Sequence, residues 1–455
     1  MQTTPHRHCP LSDARSVLLV MAACSLSTVA LGQTLPSAPA SSTGASGDGV
    51  NATGRLPWSI GASQGFYRSS NVYRVPEGKS DVYSSTSLFG GVDQQFGRQR
   101  AYANGTVSLN RYRDEKELDN TSYSLGAGLA FETVMNLSGG LDVGLDQQLA
   151  GPAASTAESP QERRNLARTR RVDGRLVWGG QSVFTVETRA GYSRFDYADE
   201  AYAGSESSRR EAGVTAFYRP GARLRVGLGL RADRTEQPAA LRDPVSGAVQ
   251  SNDIDGRHVD LLANYELTGL TSLGARLSYT RQSNSNPLLE DDDFSGLTGS
   301  FSVSYRATEK LTANLLLSRD TGTAGYGRTF YTVGLPPTQT TGPTTPIVAS
   351  STVQFENNRV TNAATFGVAY AATSKIGVGA SIRHERASVA STSTLQSGSN
   401  VSDRSTAASL SVSYAVTRLA SLGCSTEYER RSVSGGINFS YSVNTIGCNG
   451  SIRWP

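Results

Sequence analysis

The residues that could carry out chemistry are few in this chain of 455 residues. After the N-terminal segment there are only two histidines, His258 and His384, and neither has the spacing of a zinc ligand set. His384 precedes Glu385 and serines are abundant, but that abundance makes a Ser–His–acid grouping uninformative. No phosphate-binding or dinucleotide fingerprint follows a predicted strand and opens a helix. The sequence therefore predicts no catalytic, cofactor-binding or metal-binding residues and no enzyme.

Two cysteines, Cys424 and Cys448, fall on the last two predicted strands. The hairpin between them would turn at Gly435-Gly436. Because residue 436 is their midpoint, a tight hairpin would place them directly opposite each other, where a disulfide can form in the oxidising periplasm. We expect this cross-strand disulfide, with two buried free thiols as the alternative. Near Thr445-Ile446 the apolar residues move from one set of alternate positions to the other, which indicates a β-bulge that would displace the pairing of the two cysteines.

Charged residues occupy alternate positions in many segments. If these segments are strands of a barrel that spans a membrane, charged side chains face the lipid only at a high cost, whereas the water-filled lumen of the barrel accommodates them. The expected lumen-lining residues are Arg171, Asp173, Arg175, Glu187, Arg189, Arg223, Arg225, Arg231, Asp260, Glu266, Arg276, Arg306, Arg383 and Glu385. Mixed signs on neighbouring strands favour ion pairs that hold the wall rigid. The alternative is that the arginines between Arg171 and Arg231 give the lumen an anion preference.

The elements that would position these charges are strands with a period of two. In Ala222–Asp233, Arg257–Thr268 and Lys375–Arg386, one face is apolar and the other polar or glycine. Strands of soluble sandwiches average about 5–6 residues, whereas these have about 11 or more, the length of a tilted strand that crosses a bilayer.

Short turns alternate with long polar loops along the chain. The predicted turns are Phe96–Gln99, Thr133–Asn136, Gly179–Gln181, Arg219–Ala222, Gly269–Ser272, Thr308–Lys310, Thr373–Lys375 and Thr417–Leu419. The predicted loops include Gln148–Arg164, Thr235–Gly256 and Asp320–Asn357. Within the last of these, the proline-rich segment Thr321–Phe355 is predicted to be an extracellular loop or a constriction in the lumen. Eight turns with one strand added at each end give an all-β, transmembrane antiparallel up-and-down barrel of about 18 strands, with both termini periplasmic.

Aromatic residues recur one to four positions before these turns. We expect them to form a periplasmic aromatic girdle at the level of the lipid headgroups, composed of Phe131, Trp178, Tyr218, Tyr265, Tyr305, Tyr370 and Tyr414. Hydrocarbon offers no partner for open strand edges, so the first strand, Pro57–Tyr67, must pair with the last, Ile437–Trp454.

The N-terminus is typical of an exported protein. Arginines precede an apolar stretch that ends at a small-residue cleavage site, which predicts a signal peptide over residues 1–32. Alternatively, Cys24 would be an acylated first residue. Residues 33–56 are rich in Ser, Ala, Gly and Pro and are predicted to be a flexible lead-in to a barrel over residues 57–455. The net charge of +4 is too small to indicate a nucleic-acid partner.

Three short motifs carry a family resemblance: Ser69-Ser70-Asn71-Val72-Tyr73-Arg74, Phe96-Gly97-Arg98-Gln99-Arg100 and Asn110-Arg111-Tyr112. With them, the chain from Trp58 to its end resembles the β-barrel porin family found in exopolysaccharide operons. The resemblance implies a barrel in the outer membrane of a Gram-negative cell that lets a secreted polysaccharide pass and works with a periplasmic polysaccharide-export protein. It carries over no catalytic residues.

The leading hypothesis is therefore a passive conduit for an exopolysaccharide, embedded in outer-membrane lipid and lipopolysaccharide. A general diffusion porin for small solutes is the second hypothesis. A plugged barrel with surface-binding loops is the third.

Overall fold

The structure, a computed structural model, describes residues 27–31, 57–134, 136–150, 164–180, 182–199, 203, 206–242, 249–286, 293–322, 328–334, 347–353, 359–389, 401–434 and 440–454. The predicted signal peptide and lead-in therefore lie outside the described residues, apart from the strand at 27–31. The acylation alternative for Cys24 also lies outside them.

The described chain consists almost entirely of strands. The first are β1 (Ser27–Leu31), β2 (Trp58–Ser69), β3 (Asp81–Phe96), β4 (Gln99–Tyr112), β5 (Asn120–Glu132), β6 (Leu137–Leu149) and β7 (Leu166–Trp178). The next are β8 (Phe184–Tyr197), β9 (Ser207–Tyr218), β10 (Leu224–Arg242), β11 (Val249–Thr268), β12 (Thr271–Asn284), β13 (Phe294–Thr308) and β14 (Leu311–Gly322). The last are β15 (Arg328–Gly334), β16 (Ile347–Val353), β17 (Arg359–Ala371), β18 (Ile376–Val389), β19 (Val401–Ala415), β20 (Ala420–Ser434) and β21 (Tyr441–Trp454). Helical structure among the described residues is limited to the 3₁₀ turn Lys116–Leu118 and the single 3₁₀ residue Ala203, and none of it is long and apolar enough to cross a membrane.

Eighteen strands close into one antiparallel barrel, which confirms the predicted fold class. Each barrel strand pairs with its neighbours in the chain, β14 pairs with β17, and the first strand pairs with the last from Ile60↔Trp454 to Ser69↔Thr445. Each of the eight predicted short turns lies between two consecutive strands. Both ends of the barrel chain, Trp58 and Trp454, lie on the side of these turns. That this side is periplasmic stays a prediction.

The predicted long loop Thr235–Gly256 is wrong over residues 235–242 and 249–256, which are strands; residues 243–248 lie outside the described residues. Strand β10 continues to Arg242 and β11 begins at Val249. The two strands stay paired from Thr235↔Ile254 to Arg242↔Val249, with a register irregularity only between Gln237 and Leu241. In this stretch the outward side chains are no longer apolar, because the strands extend beyond the apolar band of the barrel. The alternation of apolar and polar residues is therefore lost, although the backbone hydrogen bonds between the strands continue.

Strands β1, β15 and β16 form a separate three-stranded sheet. Strands β15 and β16 fall within the predicted segment Thr321–Phe355, and its four prolines lie between them in the sequence, outside the described residues. The rest of that segment lies outside the described residues, so its placement as an outer loop or a constriction stays open. Parts of the predicted loops Gln148–Arg164 and Asp320–Asn357, and the turn at Gly435-Gly436, also lie outside them.

The predicted β-bulge near Thr445-Ile446 is wrong, because the register of β20 and β21 is unbroken from Ala420↔Ile452 to Arg431↔Tyr441. The apolar phase changes for another reason: Tyr441 and Val443 are buried on the inward face, whereas Ile446 is exposed on the outward face.

Candidate functional site

The two faces of the wall differ sharply in polarity. On the outward face, Leu228 and Leu261 are 61% and 55% exposed, and similar side chains form an apolar band around the barrel. The opposite face of the same strands carries Arg231 and Asp260, 3.3 Å apart. Side chains alternate across a strand, so the polar set faces the lumen. The inward wall is therefore the candidate functional surface.

Glu187 is the centre of one inward cluster. This carboxylate, only 3% exposed, lies 2.8 Å from Arg175, 2.5 Å from Arg189 and 3.7 Å from Arg225. The Arg225 guanidinium also lies 3.5 Å from the centre of the Phe217 ring, a cation–π contact. Three cations on β7, β8 and β10 thus share one buried anion, which ties the wall together from β7 to β10.

A second network lies nearer the loop end of the wall. Asp233 is 2.6 Å from Nε2 of His258 and 3.3 Å from Arg209. The other ring nitrogen of His258 is 2.9 Å from the hydroxyl of Thr280, which in turn is 2.9 Å from that of Thr298. This Thr–His–Asp arrangement has the residue types of a hydrolytic triad. However, Thr280 is only 1% exposed and its hydroxyl is shared with Thr298, so the arrangement serves as a buried polar brace.

Arg276 completes this network from β12. It interacts electrostatically with Asp260 and with Asp320 on β14. Asp320 also attracts Arg209 and Arg231. Opposite charges therefore face each other across several strands, and the arginines of this arc are balanced by carboxylates.

The remaining predicted lumen residues are distributed around the wall. Arg171 and Asp173 pair at 3.1 Å on β7, and Arg383 pairs with Glu385 on β18. Three others lie at the short-turn rim and are exposed: Arg223, Glu266 and Arg306.

Two further inward groups lie near the loop end. Arg431 forms a bidentate pair with Asp403, at 2.7 Å and 3.1 Å, and both side chains are buried. Beside them, Tyr441 donates a 2.7 Å hydrogen bond to Glu429, which lies 3.5 Å from Arg74. The only indication of these charges in the sequence is their position: they continue the alternate, inward-facing positions of each strand beyond its last apolar residue.

The connection between β2 and β3 folds inward instead of forming an outer loop. Val72, Tyr73 and Val75 are buried against Leu118. The Tyr73 hydroxyl donates to Glu115 at 2.7 Å, and burial, followed by the acceptor carboxylates, raises the pKa of this phenol. We call residues 70–80 the inward segment.

Three tyrosines form a stacked row on the inward wall next to this segment. Tyr67 lies opposite Tyr83, and Tyr83 opposite Tyr112, with ring centroids 5.2 Å and 5.0 Å apart. The ring of Tyr67 fits because Gly447 leaves room on the neighbouring strand, where an added Cβ would come within 3 Å of it. The row stiffens the wall around the closing seam.

Outside the lumen, the structure places the predicted girdle residues on the outward face beside the short turns. Trp178, Tyr218, Tyr265, Tyr305, Tyr370 and Tyr414 are exposed there, and Phe131 is half-buried. Cys424 and Cys448 are directly opposite each other and joined by a disulfide. The disulfide lies on the same outward face as Leu422 and Phe66.

No group of three or more His, Cys, Asp and Glu side chains in the described residues is placed to hold a metal ion.

No protein-family profile and no curated protein sequence matches the chain. Among solved structures it is similar to OccK1 (OpdK) of Pseudomonas aeruginosa, with 13% identity, a TM-score of 0.46, and coverage of 87% of this chain and 99% of that one. It is also similar to OpdO of the same organism (12%, TM-score 0.43, 87% and 96%) and to the FrpB iron transporter of Neisseria meningitidis (11%, TM-score 0.45, 88% and 82%). Its own closed 18-strand wall, apolar outside and polar inside, makes the chain an outer-membrane β-barrel.

Proposed function

We propose that the barrel is a passive diffusion channel for small polar solutes. Barrels of 16–18 strands are wide enough to leave an aqueous channel. The observation that carries the proposal is the arc of paired charges from β7 to β12, which lines the lumen with groups that prefer water. We propose no catalytic activity, since the Thr–His–Asp arrangement at His258 is buried.

A second candidate is the conduit for an exopolysaccharide, and the opposite half of the wall favours it. From β18 through β21 and β2 to β5, the middle of the inward face is mostly Ser, Thr, Asn and Gly. Cross-strand hydroxyl pairs such as Ser87–Ser108 and Ser381–Ser409, at 2.8 Å and 2.7 Å, lie in this half. A surface rich in hydroxyl groups would exchange weak hydrogen bonds with a sliding sugar chain. In this case we propose a periplasmic polysaccharide-export protein as partner.

The charge pairing bears on selectivity. Because the arginines of the arc each have carboxylates nearby, we expect only a weak anion preference, and we assign the pairs mainly to the rigidity of the wall.

Single-channel conductance of the full chain in planar bilayers tests the channel. Absence of current would support the plugged barrel and overturn both candidates. Swelling of proteoliposomes in neutral sugars of increasing size then measures passage of small solutes. Deletion of the gene separates the candidates: reduced solute uptake supports the diffusion channel, whereas loss of secreted polymer with unchanged uptake supports the conduit.

A further inference from the structure

Arginines face outward near the loop end of the barrel, and several lie directly opposite each other. Arg257 on β11 pairs in register with Arg281 on β12, and Arg386 on β18 pairs with Arg404 on β19. All four side chains are exposed. Within the described residues, no carboxylate lies within 4.0 Å of any of them; the nearby Asp255 is engaged by Arg234. We call these two sets the arginine pairs.

Such pairs are unfavourable unless something balances them. Like charges directly opposite in a sheet destabilise it, and an arginine cannot give up its proton. Two other opposed sets show the contrast, because the protein supplies acids there. Arg170 and Arg194 both lie 3.8 Å from Asp196, and Arg210 and Arg234 have carboxylate neighbours of their own. The arginine pairs therefore call for an anion from outside the protein.

The depth of the pairs identifies the source of that anion. Tyr265 at the short-turn rim and Arg257 are eight positions apart on β11, and Tyr414 and Arg404 are ten positions apart on β19. At about 3.3 Å per residue and a tilt of about 40°, this is roughly 20–25 Å, the height of the apolar band of an outer-membrane barrel. The pairs thus lie at the headgroup level of the leaflet on the loop side.

We propose that the arginine pairs bind the phosphate groups of lipopolysaccharide in the outer leaflet. The planar guanidinium matches phosphate oxygens bidentately, and one phosphate between two arginines converts a repulsion into two attractions. If the pairs bind lipopolysaccharide, the long connections face the cell exterior, and the barrel ends at Trp58 and Trp454 face the periplasm. It does not depend on which solute passes through the lumen.

The test measures lipopolysaccharide binding to the full chain in detergent by native mass spectrometry. We expect Arg257→Gln/Arg281→Gln and Arg386→Gln/Arg404→Gln each to lower the affinity about fivefold, the sum of two exposed ionic contacts. The control Arg98→Gln/Arg418→Gln removes the same charge from the short turns and should bind like the wild type. Conductance of the folded variants reports separately on the channel function.

Two further arms need no variant. Enzymatic removal of the lipopolysaccharide phosphates should weaken wild-type binding at least as much as either double variant. Phosphatidylglycerol, which carries a single phosphodiester charge, should bind more weakly than lipopolysaccharide and should respond less to the substitutions. Unchanged affinity in both double variants, an equal loss in the control, insensitivity to phosphate removal, or an equal response with phosphatidylglycerol would each overturn the proposal.

Discussion

The substitution Glu187→Gln tests whether the paired charges hold the wall together. Breaking a buried ion pair costs about 3–5 kcal/mol, because the partner charge remains buried, whereas an exposed pair contributes about 0–1 kcal/mol. Glu187 is buried, but Arg175 and Arg189 are about one-third exposed and water compensates them in part. We therefore expect the free energy of unfolding to fall by about 2–3 kcal/mol, measured by urea titration of the full chain in detergent with an unchanged slope.

The same substitution adds one positive charge to the lumen, so we also expect the anion-to-cation permeability ratio to rise, measured as the zero-current potential across a salt gradient. Glu236→Gln is the matched control. Glu236 faces outward, is partly exposed and lies 3.7 Å from Arg210, so its loss should cost less than about 1 kcal/mol and leave the zero-current potential unchanged. If both variants unfold like the wild type, the inward pairs do not stabilise the wall and the reasoning is refuted.

Three other outcomes follow from single features of the wall. Replacing Cys424 and Cys448 by serine should lower the free energy of unfolding in urea titrations by about 3 kcal/mol, the value for a disulfide that closes a loop of about 25 residues. Reductant should lower the stability of the wild type by the same amount, and conductance should not change. Asp403→Asn removes a carboxylate that balances buried Arg431 and should cost about 3 kcal/mol in the same titration. The double variant Asp403→Leu/Arg431→Met should recover most of the lost stability, and the absence of recovery would contradict the ion-pair explanation. Replacing Asn71–Lys79 by a Gly-Ser linker should raise single-channel conductance, because buried side chains leave the loop-side mouth; an unchanged value would place the inward segment off the conduction path.

The sequence was sufficient to predict the barrel because lipid imposes a strict pattern. Along the membrane-spanning part of each strand one face must be apolar, and the short turns interrupt that alternation at regular places. The opposition of Cys424 and Cys448 could be calculated for the same reason. In an unbulged hairpin the numbers of opposed residues have a constant sum, and this one is fixed by the midpoint at residue 436.

The pattern fails where lipid no longer acts on it. Beyond the apolar band both faces of a strand are polar, so nothing in the sequence separates the paired stretch Thr235–Gly256 from a loop. Asp403, Arg431 and Asp320 were missed for this reason, since they lie at the loop ends of their strands. The inward segment was missed because its few apolar residues, such as Val72 and Val75, have no period that indicates which way a connection folds.

The extent of two strands also explains the polar contacts at their loop ends. A tilted strand needs about 9–11 residues to cross a bilayer, but β10 and β11 have 19 and 20. Their excess residues have water on both faces and gain nothing from lipid, so cross-strand polar contacts must hold them in register. Asn252 contacts Asn284 at 2.9 Å on the inward face, and Arg234 contacts Asp253 at 2.5 Å on the outward face. Strands β10 and β11, which extend furthest from the membrane, thus carry part of the charged arc, and we expect stability and ion selectivity to change together when their inward charges are altered.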